Sequence, residues 1–163
     1  MKIGVIGLGI VGNANKVGFE QLGHEVVVHD IKLGTNINNV LATEAVFVCV
    51  PTPSAKDGSC DTTIVKSVIM DLNHLDYQGI IAIRSSTVPG FCQSMIDEYP
   101  KLKICFVPEF IRERHAVEDF TEKHSILVIG TEDDATFDVV KKCHGHYPKH
   151  IQQLKPTEAE ICK

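Results

Sequence analysis

Short apolar runs bounded by turn residues alternate along this chain with stretches of helical period. Residues 2–7 read as a buried strand, 10–22 as a helix closed by Gly23, and 25–29 as a second strand. Residues 46–50 predict a third strand. Asp61 is then expected to cap a helix that sets Ile64, Val65, Val68, Ile69 and Leu72 on one face. Residues 80–84 predict a fourth strand, 88–98 a helix and 103–107 a fifth strand. Pro108 is expected to open a short helix through Glu113. Residues 125–129 predict a sixth strand, and the acidic stretch 131–134 suits the positive end of a helix that continues over 135–143. A short strand at 150–154 and the start of a further helix at 156–163 complete the pattern.

The predicted strands are near-continuous runs of Val, Ile and Phe, as expected of strands covered on both faces. Strands alternating with helices through short connections predict an α/β fold: a doubly wound, mostly parallel sheet with helices on both faces, Rossmann-like.

Composition narrows the picture. With 44% hydrophobic and 23% charged residues in 163, the chain can bury a core and is not of disordered type. The net charge of −5 speaks against a nucleic-acid surface, and no apolar run approaches the length of a membrane span. The chain enters a strand at residue 2, so no leader is expected. The six cysteines follow no framework spacing, which predicts reduced thiols and a cytoplasmic protein.

The first candidate site is the glycine turn between the first strand and helix. Gly7 would allow the tight turn, Gly9 the approach of backbone amides to a pyrophosphate, and Gly12 close helix-strand packing. Gly7, Gly9, Ile10, Val11 and Gly12 are therefore candidate contacts, with the helix N-terminus facing the phosphates. Asp30 ends the next strand, 18 residues after Gly12, where a carboxylate accepts ribose hydroxyls and repels a 2′-phosphate. The expected cofactor is NAD rather than NADP, with Lys32 the one neighbour that softens the preference.

Three polar turns follow the third, fourth and fifth strands: Val50-Pro51-Thr52-Pro53, Arg84-Ser85-Ser86-Thr87-Val88-Pro89-Gly90, and Val107-Pro108-Glu109-Phe110-Ile111-Arg112-Glu113. In a doubly wound sheet such strand ends line the ligand crevice. With Cys60-Asp61-Thr62 and Glu158-Ala159-Glu160-Ile161-Cys162-Lys163, these turns resemble the NAD-binding domain of the UDP-glucose/GDP-mannose 6-dehydrogenase family over essentially the whole chain.

The resemblance implies oxidation of a sugar-nucleotide primary alcohol to a carboxylate with two NAD per turnover, through a cysteine-bound thioester. It implies that Thr52 positions a water, Glu109 does acid/base work, Glu113 contacts substrate and Lys163 stabilises negative charge on oxygen. Val50, Pro51, Thr52, Ser86 and Thr87 become candidate cofactor contacts, with Thr87 near the nicotinamide. The chain departs from the family pattern at Val107, where Asn is usual, at Arg114, where Gly is usual, and in a Thr-Val-Pro turn one residue shorter. The helical spacing expected after Pro108 would put Glu109 and Glu113 on one face; read without the resemblance, they are a solvated acidic face offset by Arg112 and Arg114.

By the same resemblance, residues 1–155 form the NAD-binding domain and 156–163 begin a truncated connecting helix. Cys162 is not the family nucleophile, so the chain alone is expected to bind NAD without completing the four-electron oxidation. A sugar nucleotide is expected as partner only with the missing domain supplied, and homo- or hetero-oligomers are open. The alternatives are a non-catalytic NAD(H) binder or partner subunit and the cofactor domain of a hydroxyacid dehydrogenase. Cys143-His144-Gly145-His146, with His150, looks like a metal site but reads better as a core thiol with surface histidines, so no metal is expected.

Overall fold

A computed structural model describes residues 1–163. In chain order the elements are β1 (Lys2–Ile6), α1 (Ile10–Gln21), β2 (Glu25–His29), β3 (Ala45–Val48), α2 (Thr63–His74), β4 (Ile80–Ile83) and α3 (Phe91–Glu98). They continue as β5 (Lys103–Phe106), α4 (Ala116–Thr121), β6 (Ile126–Gly130), α5 (Asp134–His144), β7 (His150–Leu154) and α6 (Pro156–Ile161). The seven strands form one sheet in the order β2-β1-β3-β4-β5-β6-β7. From β1 the chain first adds β2 on one side and then β3 on the other, which opens a crevice at the carboxyl ends of β1 and β3.

Alternation along the strands sorts the core into two layers. Val46, Val48, Ile81 and Ile83 pack with Val65, Ile69 and Leu72 of α2 and with Cys92 and Met95 of α3. Ala45, Phe47, Ile80 and Ala82 pack with Ala14 and Phe19 of α1, Phe120 of α4 and Val140 of α5. Gly18 makes the second layer possible, since a Cβ there would lie 2.3 Å from the Phe120 ring. No helix is long and apolar enough to cross a membrane.

The fold is the doubly wound α/β sheet expected, with one reversal. β6 meets β5 antiparallel through the single pair Phe106↔Gly130, while β6 and β7 run parallel to each other.

The region before β6 also differs from the pattern reading. No helix spans 108–113; a single 3-10 turn, Glu113–His115, leads into α4. The cause is side-chain competition for the backbone. Glu109 Oε2 accepts the Ile111 N–H at 3.0 Å. Asp119 accepts the Arg112 backbone N–H at 2.8 Å and its guanidinium at 3.0 and 2.7 Å, with Arg112 extended at φ −86, ψ 134.

Two helix starts are shifted. α3 begins at Phe91 because Gly90, at φ +93, lies in the left-handed region. α2 begins at Thr63, whose N–H reaches the Asp61 carboxylate at 2.9 Å, and Ile64 stays exposed rather than joining the core face. His144, expected on the surface, is fully buried at the end of α5. The reason is tertiary: its ring stacks edge-on with Phe19 and Phe47, and Nδ1 donates to the Val140 carbonyl at 2.9 Å.

Candidate functional site

The glycine turn closes the carboxyl end of β1. Gly7 has φ +88, and a Cβ there would sit 2.8 Å from the Cys49 carbonyl oxygen. A Cβ on Gly12 would lie 1.9 Å from the Gly7 carbonyl oxygen, so α1 packs against the turn at a distance only glycine permits. A Cβ on Gly9 would meet nothing within 4 Å, which leaves that side of the turn open to a ligand. Gly9 is the N-cap of α1 and supplies no side-chain cap, so the first N–H groups of the helix, at Ile10 and Val11, are free to face an anion.

Asp30 completes the cradle. Its Oδ2 accepts the Leu8 N–H at 2.6 Å and its Oδ1 the Lys32 N–H at 2.7 Å. The Leu8 hydrogen bond, more than the nearby Lys32 charge, holds the Asp30 carboxyl below its ordinary pKa. Each oxygen keeps a further lone pair for a ribose hydroxyl. The glycine turn, Asp30, Val50 and Pro51 enclose about 250 Å³, with Ile64 and Val68 of α2 as an apolar wall. Dipoles for phosphates, a carboxylate for ribose and an apolar wall for a base fit a dinucleotide.

The loops after β3 and β4 are tied together. Ser85 Oγ donates to the carbonyls of Val48 at 3.2 Å and Val50 at 2.7 Å. Thr52 is half-buried just past them, and Ser86 is exposed, its carbonyl accepting the Cys60 thiol at 3.5 Å. The Thr87 hydroxyl is committed elsewhere: it donates to Glu160 at 2.9 Å. Glu160, on α6, also accepts the N–H groups of Gly90 at 2.6 Å and Cys92 at 2.8 Å. This carboxylate is 4% exposed and serves as the side-chain acceptor at the start of α3. Nothing in its helical surroundings in the sequence signals that role.

Of the four candidate catalytic residues, the structure pairs two. Lys163 Nζ donates to Glu109 Oε1 at 2.6 Å, with the side chains 20% and 12% exposed. Glu113 is separate and exposed, facing a shallow depression with Ile10 and Asn13. Burial pushes the thiols of Cys49 and Cys143 up to about 12 and raises those of Cys92 and Cys105 as well, so these four stay protonated and weakly nucleophilic.

Comparison with known proteins agrees with this geometry. The sequence profile of the UDP-glucose/GDP-mannose dehydrogenase family, NAD binding domain, matches residues 31–147. A UDP-glucose 6-dehydrogenase of Rickettsia bellii is 29% identical, covering 100% of this chain and 47% of its own length. Another, from Haloferax volcanii, is 26% identical over 86% of this chain and 43% of its own. The solved UDP-glucose dehydrogenase of Pyrobaculum islandicum superposes with a TM-score of 0.86 at 26% identity, covering 99% of this chain and 48% of that one. The chain thus spans about half the length of the curated relatives it matches.

Proposed function

The chain belongs to the UDP-glucose/GDP-mannose dehydrogenase family, as its NAD-binding domain, and on that premise we propose that it holds NAD for the oxidation of a sugar nucleotide to a sugar acid. When bound, NAD supplies a hydride acceptor. The observation that carries the reading is the joining of the glycine turn to Asp30 through the Leu8 N–H. In this reading the amides of Gly9, Ile10 and Val11 hold the pyrophosphate, and Asp30 holds the adenosine ribose and turns away a 2′-phosphate. Val50, Pro51 and Thr52 border the cofactor, with Ser86 and Thr87 beyond.

The Glu109–Lys163 pair is the proton-handling centre. Glu109 stands beside Lys163 in a position to take a proton from a substrate hydroxyl or a water, while Lys163 Nζ offers further N–H groups to an oxygen gaining negative charge. Thr52 orients a water. Glu113 stands apart from this pair and faces the depression it shares with Ile10 and Asn13, from which it contacts substrate.

Sugar recognition and the covalent step are assigned to groups outside residues 1–163. The relatives' twofold greater length supports this, as do the raised pKa values of the buried thiols Cys92, Cys105 and Cys143 and of half-buried Cys49. A cytoplasmic setting fits the six unpaired cysteines.

Calorimetric titration of the 163-residue chain with NAD, NADP, UDP-glucose and GDP-mannose tests the reading. NAD is expected to bind, NADP more weakly, and the sugar nucleotides to give no heat. Equal affinity for NADP would overturn the role of Asp30. Sugar-acid production by the chain alone would overturn the division of labour.

A further inference from the structure

Arg84 follows β4 in the same register as Ile80 and Ala82, so its side chain enters the layer formed by α1, α4 and α5. It is 2% exposed and the largest fully buried side chain of the molecule. Yet it makes no salt bridge. Nε has no hydrogen-bond partner, and Nη1 reaches only His144 Nε2, at 3.4 Å. Because His144 Nδ1 donates to the Val140 carbonyl, Nε2 is the accepting nitrogen and the ring is neutral, its pKa driven well down by burial and then by Arg84. The guanidinium lies 5.7 Å from the Phe120 ring centre, a weak compensation for a buried charge.

This guanidinium forms part of the wall of a cavity of about 230 Å³, with Arg112, Lys123 and His124 around it. His124 Nδ1 is a second buried polar atom without a partner. The carboxylates on the same wall are engaged: Asp119 by Arg112, and Glu109 by Lys163. Three cations (Arg84, Arg112, Lys123) face two carboxylates (Asp119, Glu109), which leaves one net positive charge on the lining. Of the three cations, Arg84 alone lacks a carboxylate, since Lys123 pairs with Glu118.

We propose that this cavity is an anion site in which Arg84 binds a phosphoryl group, as free phosphate or a phosphate ester. The planar fork of donors matches phosphate oxygens, and the cavity admits a group of that size. His124 and Lys123 supply the remaining contacts. The site shares the Glu109 loop with the proposed dehydrogenase site but does not depend on that reading.

The test uses the whole chain saturated with NAD, so that phosphate cannot report from the glycine turn. Inorganic phosphate is titrated at constant ionic strength while the side-chain Nε–H resonance of Arg84 is followed. The expected result is a saturable shift of that resonance and, by calorimetric titration of phosphate, an affinity about tenfold or more weaker in Arg84→Met. Should Arg84→Met fail to fold, Lys123→Ala provides the second variant, with weaker phosphate binding and an unchanged heat for NAD. An Arg84 resonance that does not move overturns the proposal, as does the same shift produced by chloride. Acetate acting as well as phosphate would overturn the phosphoryl assignment.

Discussion

The glycine turn and the Arg84 cavity both present positive groups to an anion, by opposite means. At the turn the field comes from backbone N–H dipoles freed by Gly9 and aligned along α1, with no ion buried. At the cavity it comes from a whole charge placed inside the core, beside a ring kept neutral. The turn therefore tolerates changes in protonation and not in volume, because one carbon at Gly12 meets a carbonyl oxygen. The cavity is governed by charge, because burial already weighs against protonating the imidazoles around Arg84.

Three experiments bear on that contrast. The largest effect is expected from Gly12→Ala, where the added Cβ has no room against the Gly7 backbone. Urea denaturation should show a loss of about 3 kcal/mol, and calorimetry a loss of NAD binding. Retention of both would mean that the turn is not volume-limited.

Acidification comes next. His124 is held down to about 4 from its ordinary 6.5, chiefly by burial and then by Arg84. The unfolded chain takes up a proton that native His124 refuses, so stability falls as pH drops through 6.5 and levels off for this group near 4. His144 extends the loss further down. Thermal melting should follow that slope. The Asp30 carboxyl, held below its ordinary value, stays charged over the same window, so NAD affinity per folded molecule should hold. A melting temperature flat from about 7 to 4 would deny the cavity its buried neutral imidazoles.

The smallest effect belongs to Asp30→Asn. NAD binding should weaken by about tenfold and the preference over NADP should narrow, while the phosphate response at Arg84 stays unchanged. Calorimetry with both cofactors measures the first two.

What the sequence discloses tracks how local each interaction is. β1, α1 and β2 follow from alternation and from Gly7, Gly9, Gly12 and Asp30, all within thirty residues. The helix expected after Pro108 fails because Asp119 holds Arg112 extended, a contact that helical spacing does not encode. Glu160 passes for an ordinary helix carboxylate until its three donors, some 70 residues away in sequence, are seen around it. Arg84 is visible as a charge at the end of a doubly covered strand. The missing counter-charge is a property of everything packed around it, and no local pattern carries that information. Glu109 and Lys163 come together across 54 residues, and only the family resemblance anticipated that they belong to one site.

The reversal at β6 has a consequence for how the molecule assembles. One ladder pair joins β5 to β6, whereas every other neighbouring pair of strands shares four or five. The ladder is thus thinnest between β5 and β6, and side-chain packing carries the join: Leu127 and Ile129 of β6 and Val140 of α5 share one core layer with Ala45, Phe47 and Ala82. α6 and the residues after it add polar ties across that join, to α3 through Glu160 and to the β5–β6 connection through Lys163. The Glu109–Lys163 pair is one of these ties. A pair assigned to proton handling therefore also fastens the chain end to the β5–β6 connection, whereas the glycine turn lies wholly within the first thirty residues.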